Sequence, residues 1–227
     1  MSKLYIEDRS IVIPGDLLAE GMDFLPSGKS FREGDKLFAS TTGLVSLKGH
    51  VIKVIPLAGK YLPKIGDLVI AKVTGLSHSG WQLYTNSPYL ADMSIYDASS
   101  KYVDTHKAKL TDFFNIDDYV LTEIIDISDS KYIKLSAKNR PCTLLTGGNI
   151  IFVSPTKIPR IIGKQGSMIK LLQTGSGCDI VVGQNGLVWI KGTAEKEALA
   201  AQAIQLIEKE SHKTGLTDKI SGLLKGV

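Results

Sequence analysis

The run from Ile158 to Ile169, Ile-Pro-Arg-Ile-Ile-Gly-Lys-Gln-Gly-Ser-Met-Ile, limits what the C-terminal third can become. It reads as a short helical turn, a Gly-x-x-Gly loop (Gly163, Lys164, Gln165, Gly166) and the start of a second helix. Glycine lacks a Cβ and reaches positive φ cheaply, so such a loop lets another backbone come close. The amides that open the following helix have no intrahelical acceptor and favour an anion. Arg160, Lys164 and Lys170 surround the loop, and no acidic residue lies between Thr156 and Gly177. Glycine loop, helix start and local cations together describe a clamp for a phosphate backbone. The tetrapeptide alone says little, since two glycines often fall in a helix–helix turn by accident.

Charge points to the same third of the chain. Residues 1–60 carry 8 Lys/Arg against 7 Asp/Glu, residues 61–140 carry 9 against 10, and residues 141–227 carry 10 against 6. The net charge of +4 therefore comes from a local patch suited to a polyanion rather than from a basic protein as a whole. At 227 residues, 43% apolar and 22% charged, the chain has room for several small domains and the composition of a soluble globular protein. Neither a signal-peptide core nor an apolar run near the ~18–20 residues that span a bilayer is present, which places the chain in the cytoplasm with no membrane partner. Cys142 and Cys178 form no CxxC pair, which argues against a zinc site and against a disulfide framework. Free buried thiols are expected, with no metal and no cofactor.

Residues 1–60 alternate short apolar runs with turns at Pro14-Gly15-Asp16, Gly34-Asp35, Gly43 and Lys48-Gly49. The runs at 37–39, 44–47 and 51–55 predict a β-meander, a small β domain that packs against something else. Asp16, Glu20 and Asp35 read as turn and edge groups rather than as an acid/base pair.

Residues 61–140 open with Gly66-Asp67 and the branched run Leu68–Val73. They continue with Trp81-Gln82-Leu83-Tyr84, Pro88-Tyr89-Leu90, a polar, helix-compatible excursion from Ser94 to Lys109, then Tyr119–Ile127 and Tyr132–Ser136. Five strands with an insertion before the fourth predict a small OB-type barrel. Gly66-Asp67, Ser79-Gly80-Trp81 and the ending Ile133-Lys134-Leu135-Ser136-Ala137-Lys138 resemble the S1 RNA-binding domain. That resemblance implies base stacking on exposed aromatics, with Trp81, Tyr84 and His78 as candidates. Trp81 and Tyr84 read equally well as core or interface residues. Gln82 stands where many S1 domains place an aromatic, and the Asp92-Met93 region replaces their histidine.

Asn139 through Gly148 reads as a linker. Residues 149–211 then run strand, helix, GxxG, helix, strand, hairpin turn at Gly183-Gln184-Asn185-Gly186, strand and long helix. Ser167 is a candidate N-cap, and Asn-Gly marks the hairpin because both residues tolerate positive φ. The last long helix runs from Thr193 to about Lys213, and a short one follows at Asp218–Lys225. The order βααββα resembles a KH domain, in which GxxG holds the backbone of about four nucleotides beside an apolar groove. The resemblance carries RNA binding onto Arg160, Gly163, Lys164, Gln165, Gly166 and Lys170. Ile161, Ile162, Ile169, Leu172 and Ile180 belong to groove or core.

The whole chain is therefore multidomain: an N-terminal β domain (1–60), an S1 barrel (61–140) and an α/β KH domain with a C-terminal helix (141–227). Ile13–Gly21, Tyr61–Asp67, Gly183–Gly186 and Ser211–Asp218 resemble motifs of the KH-bearing RNA-binding cap subunit of the archaeal exosome. The resemblance implies a non-catalytic subunit, three copies per complex, seated on a hexameric ring of phosphorolytic ribonuclease-like subunits and passing it single-stranded RNA. It also implies a structural role for Gly183, Asn185 and Gly186 against the S1 domain. Two other readings stand beside it: a free-standing S1–KH regulator of translation or message stability, and a fragment of a polynucleotide phosphorylase-type nuclease. The β-rich first 60 residues argue against the regulator. The S1-before-KH order and the missing catalytic core argue against the nuclease.

Overall fold

A computed structural model describes residues 3–99, 109–139, 141–210 and 215–225. Arg140 of the expected linker, positions 100–108 of the expected excursion, and Ser211-His212-Lys213-Thr214 of the expected family motif and helix end lie outside the described residues. The chain forms two compact units, Met1–Gly59 and Lys60–Val227.

The first unit contains β1 (Lys3–Leu4), β2 (Ile11–Val12), β3 (Leu17–Glu20), β4 (Leu25–Gly28), β5 (Ser30–Glu33), β6 (Lys36–Ala39), β7 (Gly43–Lys48) and β8 (Val51–Pro56). They make two four-stranded sheets, ordered β1-β3-β6-β5 and β2-β7-β8-β4. This is not the simple meander the pattern predicts, because β4 pairs parallel to β8 and β3 pairs with β6. The sequences Leu-Pro-Ser-Gly and Ser-Phe-Arg-Glu of β4 and β5 carry no clear apolar alternation, so tertiary pairing rather than local pattern makes them strands. Val12, Leu18, Leu37, Val45, Ile52 and Val54 fill the core. The Arg32 guanidinium donates to the carbonyls of Gly21 and Phe24, which fixes the loop that carries Met22.

In the second unit β9 (Leu68–Leu76), β10 (Gly80–Tyr84), β11 (Ala91–Ser94), β12 (Tyr119–Ile127) and β13 (Ile133–Ser136) close a five-stranded barrel. Closure comes from β13, which pairs parallel with β11 and antiparallel with β12. Inward residues such as Val69, Val73, Leu83, Met93, Ile124 and Leu135 fill it. At its entrance the Tyr61 hydroxyl donates to Asp67 at 2.7 Å, and burial together with that carboxylate pushes the phenol pKa up. Part of the expected linker is a further strand, β14 (Thr143–Leu145), whose Leu145, Leu144 and Thr143 pair with Tyr119, Val120 and Leu121.

The remaining elements are β15 (Asn149–Phe152), α1 (Ile158–Ile162), α2 (Ser167–Ser176), β16 (Asp179–Val182), β17 (Leu187–Lys191), α3 (Ala194–Lys209) and α4 (Leu216–Lys225). The sheet order is β15-β17-β16. One face of this sheet meets the helices over Ile161, Leu172, Val188, Ile190, Ala203 and Ile204, and α4 adds Ile220 and Leu224. The opposite face presses Leu187 and Trp189 onto Ile70, Leu121 and Leu145 of the barrel strands. Cys142 and Cys178 are free, and burial pushes the Cys142 thiol up to about 11.

Candidate nucleic-acid interface

The GxxG segment joins α1 to α2 with three of its four residues at positive φ: Gly163 at 74°, Gln165 at 52° and Gly166 at 76°. Gly163 is required twice over, since a Cβ there would lie 2.8 Å from both the Cβ and the amide nitrogen of Met168. The loop therefore lies tight against the start of α2. Gln165, without glycine's freedom, sits in the left-handed region at a cost of about 1 kcal/mol or more. Such strain persists only where the surroundings impose it.

The N-cap of α2 is Gly166, in the left-handed conformation and without a side-chain cap bond. Ser167 is the first helical residue, not the cap, because the left-handed glycine already turns the chain into the helix. The opening amides of α2 thus have no side-chain acceptor, and its first turn carries no acid. Arg160, Lys164, Gln165 and Lys170 are exposed around them, while Gly163 and Gly166 are half-buried. Ile161, Leu172 and Ile180 are core residues. Ile162 is half-buried and packs on that core, whereas the half-buried Ile169 stands at its edge. Across the groove, the Gln173 side-chain amide donates to the Ile180 carbonyl at 2.9 Å and ties α2 to the edge strand β16.

The barrel candidates separate. Trp81 is fully buried, its indole N–H donates to the Phe114 carbonyl at 3.0 Å, and its ring packs edge-on against Phe114. It is a core residue and offers no face to a base: β10 turns alternate residues inward, and position 81 is an inward one. His78 is exposed in the turn before β10, away from the glycine loop's own elements. Tyr84 is exposed on the outer face, beside Lys72 of β9.

The turn Gly183–Gly186 faces inward to the barrel. Asn185 is completely buried; its Oδ1 accepts from the Ile70 amide at 3.3 Å, and its Nδ2 donates to the carbonyls of Ile70 at 2.8 Å and Thr85 at 2.9 Å. The Gln184 amide donates to the Leu68 carbonyl at 2.8 Å. Only Gly186 of the Asn-Gly pair has positive φ, at 87°. Asparagine is therefore required here for its side chain, which continues the hydrogen bonding of β9, and not for backbone tolerance. Sequence reading missed its partner Asn86, which at φ 54° donates from Nδ2 to the Asn185 carbonyl at 2.9 Å. Nothing local in Thr85-Asn86-Ser87 signals a bond that spans about a hundred residues of sequence.

An S1-like barrel locked by a buried asparagine to a βααββα domain with a GxxG loop defines the class of barrel-and-KH RNA-binding proteins. Two family models match: "Exosome RNA binding protein RRP4 N-terminal domain" over residues 9–58, and "KH domain" over residues 149–208. Among relatives, exosome complex component Rrp4 of Methanothermus fervidus is 40% identical over 217 residues, covering 96% of each chain. That of Thermococcus kodakarensis is 39% identical over 227 residues, 99% of this chain and 88% of the relative. A crystal structure of an exosome complex RNA-binding protein superposes with a TM-score of 0.66 at 27% identity, over 74% of this chain and 97% of that one. The chain belongs to the archaeal exosome Rrp4 family.

Proposed function

We propose that this protein is a non-catalytic RNA-binding subunit of an exosome, collecting single-stranded 3′ tails and passing them to a phosphorolytic ring for 3′-to-5′ degradation or tailing. The observation that carries the reading is the loop Gly163–Gly166, whose left-handed backbone lies against the uncapped start of α2 with Lys164 and Lys170 exposed beside it. An RNA backbone laid on the loop meets amide N–H groups and cations at once, and none of these contacts depends on the base.

In this reading residues 141–227 grip RNA, residues 61–140 guide it, and residues 1–60 hold the hexameric ring, with three copies per complex. The exposed Ile11, Ile13, Met22 and Leu25 give the N-terminal unit an apolar surface for that purpose. Several weak grips on one assembly gain by effective concentration, so each needs only modest affinity. The names of the relatives support the assembly. Affinity purification of the tagged chain from its host is the test: ring subunits should co-purify, and the purified chain alone should not degrade RNA with or without phosphate. A chain that recovers no ring subunits and runs as a monomer would instead support a free-standing regulator, and phosphate-dependent degradation by the chain alone would make it an enzyme.

A further inference from the structure

Helix α2 has two flanks, and the groove beside β16 uses only one of them. At 3.6 residues per turn, Ile169 and Gln173 share the flank toward β16, where Gln173 bonds the Ile180 carbonyl. Leu171, Thr174 and Gly175 fall on the other flank, which meets α4. A cleft of about 350 Å³ opens between the two helices there, lined by Lys170, Leu171, Thr174, Gly175, Ser221 and Leu224. Gly175 sets its floor: a Cβ at that position would lie 2.6 Å from Leu224 Cδ1. A helical glycine weakens its helix, and the close approach of α4 is the reason for this one.

Size, chemistry and position suit this cleft to a nucleobase. Its volume falls in the ~300–1,000 Å³ range of small-molecule sites, the scale of a nucleoside and not of a partner helix about 10 Å across. Its walls are aliphatic, from Leu171, Leu224 and the stem of Lys170, while Thr174 and Ser221 add hydroxyls that can both donate and accept. No lining residue is acidic, and the one cation, Lys170, stands at the end nearest the glycine loop. The helical rise puts Lys170 about 6 Å beyond Gly166 and Thr174 about 6 Å beyond Lys170, each step on the scale of one nucleotide of a stretched strand. A strand gripped at the start of α2 continues on both sides of the grip. One side runs into the groove beside β16; the other crosses Lys170 and arrives at the cleft.

We infer that the cleft between α2 and α4 is a base subsite for the single strand that the glycine loop holds. The inference rests on the RNA-binding reading above. The phosphate passes Lys170, and its base turns into the cleft, with the ring face on Leu171 and Leu224 and the ring edge at Thr174 and Ser221. Hydroxyls match donors and acceptors alike, so the cleft accepts any base and favours purines through their larger face. Helix α4 thereby belongs to the RNA-binding surface and is more than a brace for α2 and α3.

The test joins two measurements on the full chain. One is ultraviolet cross-linking to a short oligo(U) built from 4-thiouridine, with the linked peptides identified by mass spectrometry. The other is fluorescence anisotropy with labelled oligo(A) over a salt series. Cross-links should appear on α4 between Ser221 and Leu224 as well as at the loop. T174L/S221L, which fills the cleft from both walls, should lose the α4 cross-link and weaken oligo(A) by about fivefold or more. Its slope of log affinity against log salt should stay that of the wild type, because no phosphate contact is lost, whereas K164D/Q165D should lower the slope. T174L alone, at an exposed position, should act in the same direction and serves if the double variant folds poorly. Cross-links confined to the loop, or wild-type affinity in T174L/S221L, would overturn the subsite, leave the loop clamp standing and free the cleft for a protein segment. Failure of both oligonucleotides to bind at all would overturn the RNA-binding reading itself and the subsite with it.

Discussion

Asn185 shows how much one side chain can decide. It satisfies an amide and two carbonyls of the barrel from a turn a hundred residues or more away. In N185A those groups stay buried without partners, at a cost of about 1–3 kcal/mol for the set's worst-placed member and more for the whole. N185A should therefore lose about 3 kcal/mol of unfolding free energy by urea denaturation, where a surface Asn→Ala changes it by about 0.5 kcal/mol or less. Asp92 is the opposite case. Burial holds its carboxyl above the ordinary value of 3.8, Lys134 on β13 pulls it down, and Asp97 pushes it up further; burial first, and then Asp92, raise the Tyr132 phenol. The folded state thus binds this proton more tightly than the unfolded chain does, so the charged form burdens the fold. The penalty is fully present above the raised folded-state pKa and fades as pH falls through it toward 3.8. D92N should melt higher than the wild type at pH 7, with the difference shrinking toward pH 4.

At the scale of the element, the order of the α1–loop–α2 unit was legible, because glycine spacing, charge and helix order all lie within some twenty consecutive residues, but its cap was not, since left-handed Gly166 rather than Ser167 opens α2. The barrel was legible as strands through the branched runs of β9 and β12. Which face each aromatic takes was not, since Trp81 and Tyr84 differ only by inward and outward parity within β10, and that parity depends on the register with β9 and its irregularity between Gln82 and Leu83. Strand β4 and the pairing of β14 were hidden for a related reason: they owe their conformation to partners distant in sequence, whereas β5 forms a tight hairpin with β6 that its mixed sequence does not announce. The loop supports its own prediction. K164A should lower the slope of log affinity for single-stranded RNA against log salt by about 0.7, the share of one released counterion, without changing base preference. G163A, with its Cβ driven toward Met168, should weaken binding and also destabilise the α1–α2 junction, seen as faster hydrogen exchange at the opening amides of α2.

At the scale of the molecule, the chain forms two compact units. The unit Met1–Gly59 exposes apolar side chains such as Ile13 and Met22, with Arg32 holding the Met22 loop. The unit Lys60–Val227 carries the glycine loop with its exposed cations Arg160, Lys164 and Lys170. I13D/M22D should abolish recovery of ring subunits in a pull-down while leaving RNA binding by the isolated chain within about twofold of wild type, because neither residue belongs to the unit that carries the glycine loop. The measurement that bears most directly on the whole account is the affinity of the ring-assembled complex for single-stranded RNA, compared between the wild-type chain and K164D/Q165D, with circular dichroism of each chain alongside. The account predicts unchanged spectra and binding weakened by about tenfold or more, equally across sequences. Unchanged spectra with unchanged binding would contradict it.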